Sequence, residues 1–283
     1  LPLWKPDAPS SEKWPAIIYY HGTNGRPSIR LMREVTEEKG FLLVGMTYLN
    51  KEQFIQSETN VAAELSQLNK LKRVLINEQD VNPSKIFVAG FSKGGWLSAT
   101  LLERDHSLAG GLILGAGVFH SKRLNTKPKP FPAKKLLFIG VGRFDENYPR
   151  SLAAFLNFRK LGAEVTLEAW PNTKHAFPKN PPLGMHQWLQ LQSGAPAQEA
   201  KQWIARRMQE IETIPDPVDQ WYAIKALQDR PFVKVHGKHV KNQLSASLAT
   251  LAKAPNVHAE AGFVKASQDI LKRELKDRYV STL

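Results

Sequence analysis

The apolar residues of this chain fall into short runs over its first two thirds and into helical stripes over its last third. "WPAIIYYHG" (14–22) is an apolar and aromatic run ending in His-Gly, the pattern of a buried strand entering a turn. "FLLVGMTYL" (41–49) reads as a second strand, after a polar helical stretch around 28–39. Over 58–78 the positions Val61, Leu65, Leu68, Leu71 and Leu75 recur at three-to-four spacing, which predicts an amphipathic helix. Strand "KIFVAG" (85–90), a helix over 93–104, and strands "AGGLILGAG" (109–117) and "KLLFIGVG" (135–142) come next. A helix at about 149–161 and strand "AEVTLEAW" (163–170) complete the series. Strands alternating with helices imply right-handed crossovers and a mostly parallel sheet covered on both faces. The expected fold class is α/β.

Beyond about residue 184 the strand pattern stops. "AQEAKQWIARRMQEIET" (197–213) is helical, and "PDP" at 215–217 breaks the chain. Three more helical stretches are predicted near 218–229, 239–253 and 260–278, with Leu244, Leu248, Leu251 and then Phe263, Ile270, Leu271 on the apolar faces of the last two. The expected division is an α/β domain over 1–214 and a helical appendage over 215–283. The appendage is expected to stabilise or cover the domain and to carry no chemistry, since it offers no candidate catalytic residue.

Composition changes this picture little. The chain has 283 residues, 42% of them apolar and 23% charged, enough for a full-sized core. No run approaches the ~20 apolar residues of a membrane-spanning helix. There are no cysteines, so disulfides, a thiol nucleophile and cysteine-ligated metals are excluded. Position 1 is leucine, which reads as a processed or trimmed chain; the compartment is not legible, and only removal of a secretory signal would favour a secreted or periplasmic place over a cytoplasmic one.

The net charge is +13, but it is spread: about +9 over 1–194 and +4 over 195–283. With no basic arm, helix-turn-helix or zinc-finger spacing, or aromatic RNA-binding signature, nucleic acid is not the expected partner. An anionic substrate, polymer or surface is the preferred match for the charge.

The chemistry gathers on "KIFVAGFSKGGW". Gly90-Phe91-Ser92-Lys93-Gly94 fits G-x-S-x-G, a pattern that arises by chance in on the order of one chain in ten of this length. Its context makes it specific: it lies between a predicted strand and a predicted helix. There a sharp turn needs glycines on its flanks and lifts the serine above the sheet edge. The helix that follows aims its first amides at the same place, which suits a developing negative charge.

A serine hydroxyl still needs a base, and the base an orienting acid. In this topology they follow in the chain order serine, acid, histidine, at the carboxyl ends of later strands. Asp145 lies three residues past "KLLFIGVG", with Glu146 as a rival acid and capping of the next helix as its plain structural role. His175 lies five residues past "AEVTLEAW"; its rivals His186, His236, His239 and His258 follow no strand of the α/β part. "HGKH" (236–239) has metal-like spacing but no third ligand, and reads as a solvated loop. No metal and no cofactor are expected. Two backbone amides are expected to form an oxyanion hole. One is that of Lys93, and the other comes from "HGTNGRPS", with Thr23 first and Asn24 second. His21 and Gly22 shape that loop, His21 in a structural rather than proton-transfer role.

"YYHGTNG", "GFSKGG", "GRFDENY" and "KHAF", in this order, resemble the α/β-hydrolase superfamily over about residues 14–190. The nearest groups are dienelactone-hydrolase-like, polyhydroxybutyrate-depolymerase-like and feruloyl-esterase-like serine esterases. The doubled Gly94-Gly95 is also similar to prolyl-oligopeptidase-type peptidases, but no propeller precedes the domain. The resemblance implies acyl transfer through an acyl-serine intermediate, with hydrolysis of a carboxylic ester as the expected activity. A peptidase or thioesterase with the same triad, or a non-catalytic binding module, are the alternatives. Two departures from the family pattern stand out. Few residues precede the first strand, so the antiparallel edge strands are expected to be short or absent, and Trp96 stands where a small residue is common. The connection between Gly117 and Lys134 is too short for a helical lid and holds Lys122, Arg123, Lys127 and Lys129, with Lys134 and Lys135 just beyond. It is read either as a proline-stiffened loop or as the basic rim of an open cleft for an ester on a bulky or anionic carrier. The oligomeric state is not legible.

Overall fold

The computed structural model describes residues 1–6, 13–49, 57–118, 129–178, 185, 188–191, 197–229, 233 and 238–280. The strands are β1 (Leu3–Trp4), β2 (Trp14–Tyr20), β3 (Leu42–Met46), β4 (Val81–Phe91), β5 (Gly110–Leu114), β6 (Leu136–Gly142) and β7 (Glu164–Trp170). They form one sheet in the order β1-β3-β2-β4-β5-β6-β7. All neighbours are parallel except β1, a two-residue edge strand that runs antiparallel to β3. The short antiparallel edge expected from the sequence is this strand. Nothing in "LPLW" marks it as one, because two residues carry no period.

Helices α1 (Arg30–Thr36), α2 (Glu58–Glu78), α3 (Lys93–Arg104) and α4 (Tyr148–Lys160) connect the strands. Alternate strand residues sort into two cores. Ile18, Tyr20, Val88, Ile113 and Ile139 face α2, α3 and α4, which contribute Leu68, Leu75, Leu97, Leu101 and Leu152. Ile17, Tyr19, Phe87, Leu112 and Phe138 face the other way, onto Met32 and Val35 of α1 and onto Trp188 and Leu189. Helix α2 begins at Ser57, whose side chain accepts a hydrogen bond from the Asn60 amide (3.2 Å). Val61, Leu68 and Leu75 are its fully buried stripe, while Leu65 and Leu71 lie at the margin.

Among the described residues the chain continues with helices α5 (Ala197–Glu212), α6 (Pro217–Gln228), α7 (Lys238–Leu251) and α8 (Pro255–Val280). Asp216 caps α6, accepting from the Val218 amide at 2.9 Å. The expected division at 214/215 runs between α5 and α6, whose side chains Trp203, Ile204, Ile211, Ile224 and Leu227 share one cluster with Leu244 of α7. The face of α8 differs from the expected one. Phe263 and Ile270 are exposed (56% and 57%), and the buried positions are Val257, Val264 and Leu271. A seven-residue step of this kind is a narrow seam along one helix, and apolar residues beside the seam carry the same period without being covered.

Lys134 and Lys135 precede β6, at the amino end of the sheet. Lys134 pairs with Glu164 (2.8 Å). Lys135 is buried, donates to the Asp105 carbonyl (2.6 Å) and lies over the Phe131 ring (4.9 Å). They therefore stand at the opposite end of β6 from Asp145 and rim no cleft there. Lys122, Arg123 and Lys127 fall outside the described residues, and Lys129 is exposed.

Burial pulls the Lys135 ammonium down to about 8, helped by Lys72 and opposed by Asp105. A lysine whose folded value lies below its ordinary one releases a proton on folding, so its contribution to stability rises with pH from about 8 toward the ordinary range. Urea unfolding at pH 7.5 and pH 9.5 should show wild type gaining on Lys135→Met at the higher pH. A constant difference between the two proteins would contradict this.

Candidate active site

The site is built on the carboxyl ends of β2, β4, β6 and β7. Strand β4 ends at Phe91 and α3 begins at Lys93, leaving a single residue for the turn. That residue, Ser92, is held at φ 53° and ψ −119°. A non-glycine residue with such a positive φ costs about 1–3 kcal/mol, and the surroundings must enforce it. They do so through two backbone hydrogen bonds, Ser92 N–H to the Leu114 carbonyl (2.8 Å) and Trp96 N–H to the Ser92 carbonyl (3.1 Å). The helix then crosses the sheet with no clearance. A Cβ on Gly94 would lie 2.1 Å from the Tyr20 carbonyl oxygen, and one on Gly90 would lie 2.2 Å from the Gly94 carbonyl carbon. Trp96 is partly buried against the α2/α3/α4 core.

Asp145 follows β6 in a tight turn, its own N–H on the Gly142 carbonyl (3.0 Å). Its side chain is fully buried and accepts from the Asn147 amide (2.8 Å). His175 follows β7. Its Nδ1 stands 2.9 Å from Asp145 Oδ2 and 3.1 Å from Oδ1, and its Nε2 stands 2.8 Å from Ser92 Oγ. A carboxylate only accepts, so Nδ1 carries the proton and Nε2 is left to accept from the serine hydroxyl. The structure thus brings Ser92, His175 and Asp145 into one hydrogen-bonded line. Glu146 is exposed. His258 is exposed on α8, His186 and His236 lie outside the described residues, and His239 lies in α7. Among the described residues no group of three His, Cys, Asp or Glu side chains could hold a metal ion.

The imidazole is one-third exposed and is steadied by Phe91, whose ring stacks on it at 5.4 Å and 24°. Asn147 Nδ2 donates to the Gly115 carbonyl (3.3 Å) and sits 3.3 Å from His175 Nδ1. With that nitrogen's proton committed to Asp145, the second approach is a contact and not a hydrogen bond. Phe91 and Asn147 were missed as site residues. The only signal for Asn147 is its place two residues after an aspartate, where an Asx turn forms.

The loop after β2 lies beside the serine: a Cβ on Gly22 would be 3.6 Å from Ser92 Cβ. His21 is buried, with Nδ1 donating to the Gly22 carbonyl (2.7 Å), and its own carbonyl accepts from the Tyr48 hydroxyl. Gly25 N–H closes the loop on the Gly22 carbonyl (3.1 Å). Nothing among the described residues accepts from the Thr23 amide. Lys93 opens α3, where the first amides of a helix point outward along its axis.

No protein-family model matches the sequence, and no curated protein matches it. Solved structures match it in fold. An esterase designated PE8 superposes with a TM-score of 0.55 at 14% identity, over 67% of this chain and 97% of that one. An esterase from Pyrobaculum calidifontis gives 0.51 at 16%, over 65% and 78%. A carboxylesterase from Mesorhizobium loti gives 0.50 at 18%, over 64% and 90%. The chain has the α/β-hydrolase fold. About a third of it lies outside these matches, and at such identities the likeness speaks for the fold alone.

The acid loop of this hydrolase fold is gripped from two sides. A Cβ on Gly142 would lie 2.3 Å from the Lys174 carbonyl oxygen, and Phe144 N–H donates to the Thr173 carbonyl (2.9 Å), joining it to the histidine loop. From the appended helices, Asp219 and Asp216 accept from the Arg143 guanidinium at 2.7 and 3.1 Å. Burial pulls the Arg143 ion down, but its bonds to Asp219 and Asp216 win and hold it above its ordinary value. Tyr148 Oη donates to Tyr222 Oη (3.0 Å), which donates to Glu260 (2.5 Å).

Gly94→Ala should cost about 3 kcal/mol or more, because the new methyl meets backbone and no flexible side chain can yield. Chemical denaturation reads this directly. A loss under about 1 kcal/mol would mean that α3 can ride up off β2.

Proposed function

We propose that this protein is a serine hydrolase that cleaves a carboxylic ester through an acyl-serine intermediate. The observation that carries the reading is the unbroken line from Ser92 Oγ through the His175 ring to buried Asp145. His175 Nε2 takes the serine proton as Oγ attacks the ester carbonyl, and the imidazolium so formed is stabilised by the Asp145 carboxylate. The carbonyl oxygen becomes an oxyanion, for which the Thr23 and Lys93 amides are the proposed donors. His175 then protonates the leaving alkoxide, and a water activated by the same ring releases the acid. The esterases and carboxylesterase that share the fold support the ester reading. The net charge of +13 favours an acyl or alcohol group on an anionic carrier over a neutral one.

Turnover of ester, amide and thioester substrates by purified protein tests the class. Ser92→Ala and His175→Ala should each lower kcat/KM for the preferred ester at least ~10^4-fold while leaving thermal unfolding in place. Asp145→Asn should cost roughly 10^3-fold, since the amide favours the wrong imidazole tautomer. Folded Ser92→Ala with near-wild-type turnover would remove the mechanism.

The helices beyond residue 214 act here as a brace. They perform no step, but they hold Arg143 and Tyr148 on either side of Asp145. Arg143→Met leaves Asp219 buried without its cation, so kcat should fall about tenfold with KM little changed. Arg143→Lys should restore part of the loss. An unchanged kcat in folded Arg143→Met would reduce this pairing to scaffolding.

A further inference from the structure

A cavity of about 540 Å3 lies between α4, α6 and α8, on the far side of Tyr148 from the acid loop. Its size is within the ~300–1,000 Å3 range of small-molecule sites. The floor is apolar and buried, made by Leu152, Phe155, Trp221, Val264 and the rings of Tyr148 and Tyr222. Three cations line it, Arg159, Lys225 and Lys272, against one carboxylate, Asp229. Lys272 is engaged by Asp269 (3.3 Å). Arg159 and Lys225 have no carboxylate partner among the described residues. Each lies instead over an aromatic ring of the floor, the Arg159 guanidinium 5.1 Å from the Phe155 centroid and the Lys225 ammonium 4.8 Å from that of Trp221. With Lys272 engaged by Asp269 and Asp229 the one carboxylate of the lining, Arg159 and Lys225 leave a net positive charge directly above a greasy floor.

We propose that this cavity is a second ligand site, separate from Ser92, for a small anionic amphiphile: an apolar chain or ring carrying a carboxylate or comparable anionic head. The apolar body would displace water from the floor, and the head would meet Arg159 and Lys225, with Gln228 and Gln268 as further donors. A cationic amphiphile of the same length meets like charge, and a small anion without a tail leaves the floor wet. The site unites the hydrolase body with the appended helices, so an occupant would bind only the assembled form and stabilise it by mass action.

The probe is dodecanoate, titrated into the full-length protein at low ionic strength and below micelle formation, followed by calorimetry and tryptophan fluorescence. Saturable one-to-one binding is expected. It should weaken at least tenfold in Arg159→Met/Lys225→Met, and dodecyltrimethylammonium or acetate should bind at least tenfold more weakly to wild type. Trp221→Phe should abolish most of the fluorescence change, while Ser92→Ala should bind dodecanoate as wild type does. The substituted cations lie at the rim, so circular dichroism should report an intact fold. Absence of saturable binding, undiminished binding by the double variant, or binding lost in Ser92→Ala would each overturn the proposal.

Discussion

Helix α3 leaves the end of β4 so sharply that its first turn lies on the backbone of β2, with no room for a side chain between Gly94 and the Tyr20 carbonyl. The arrangement of the site depends on that contact. Since α3 cannot rise, the turn before it has one residue, and that residue is driven into a left-handed conformation with its hydroxyl above the sheet. The same crossing places the helix's first amides next to the loop that follows β2, through Gly22. The raised serine, its strained turn and the outward-pointing first amides of α3 are consequences of one close approach between two stretches of backbone.

The convergence of Ser92, Asp145 and His175 was legible because parallel strands place the residues that follow them at one edge of the sheet. Once "KIFVAG", "KLLFIGVG" and "AEVTLEAW" are read as strands, the loops "RFDENYP" and "PNTKHAFP" have nowhere else to go. The same logic applied in reverse would have removed Lys134 and Lys135 from the cleft, since both precede β6. Phe91 and Asn147 were not legible, because ring stacking and a side chain turned back on Gly115 depend on distances that no spacing encodes. Phe263 and Ile270 misled for a different reason. Both share the seven-residue step of Val257, Val264 and Leu271, and only the neighbours of α8 decide which of two parallel stripes is covered.

The appended helices are tied to the sheet by polar bonds as well as by burial. Arg143 joins Asp219 of α6 to its cap Asp216, and the hydroxyls of Tyr148 and Tyr222 form a chain that ends on the Glu260 carboxylate of α8. Burial drives Tyr148 up to about 12, so its hydroxyl stays protonated and able to donate across the neutral range. Polar contacts of this kind fix orientation, because each works in one geometry only, whereas apolar packing tolerates sliding.

That distinction explains why the helices dock where they do. Residues 137, 139 and 141 of β6 point to one face, as do 165, 167 and 169 of β7. Along the amino half of these strands α4 covers that face, over Leu137, Ile139 and Val165. At the carboxyl end Tyr148, the first residue of α4, shares the cover of Val141 and Ala169 with Val218, Trp221, Val257 and Val264. Without α6 and α8 this apolar strip would lie open to water beside Asp145, whose side chain is fully buried. A carboxylate near water is screened from its histidine partner, and one in a low-dielectric site is not. The helices therefore extend the outer layer of the sandwich by the width of the acid loop, and the polar bonds hold that loop in register beneath them.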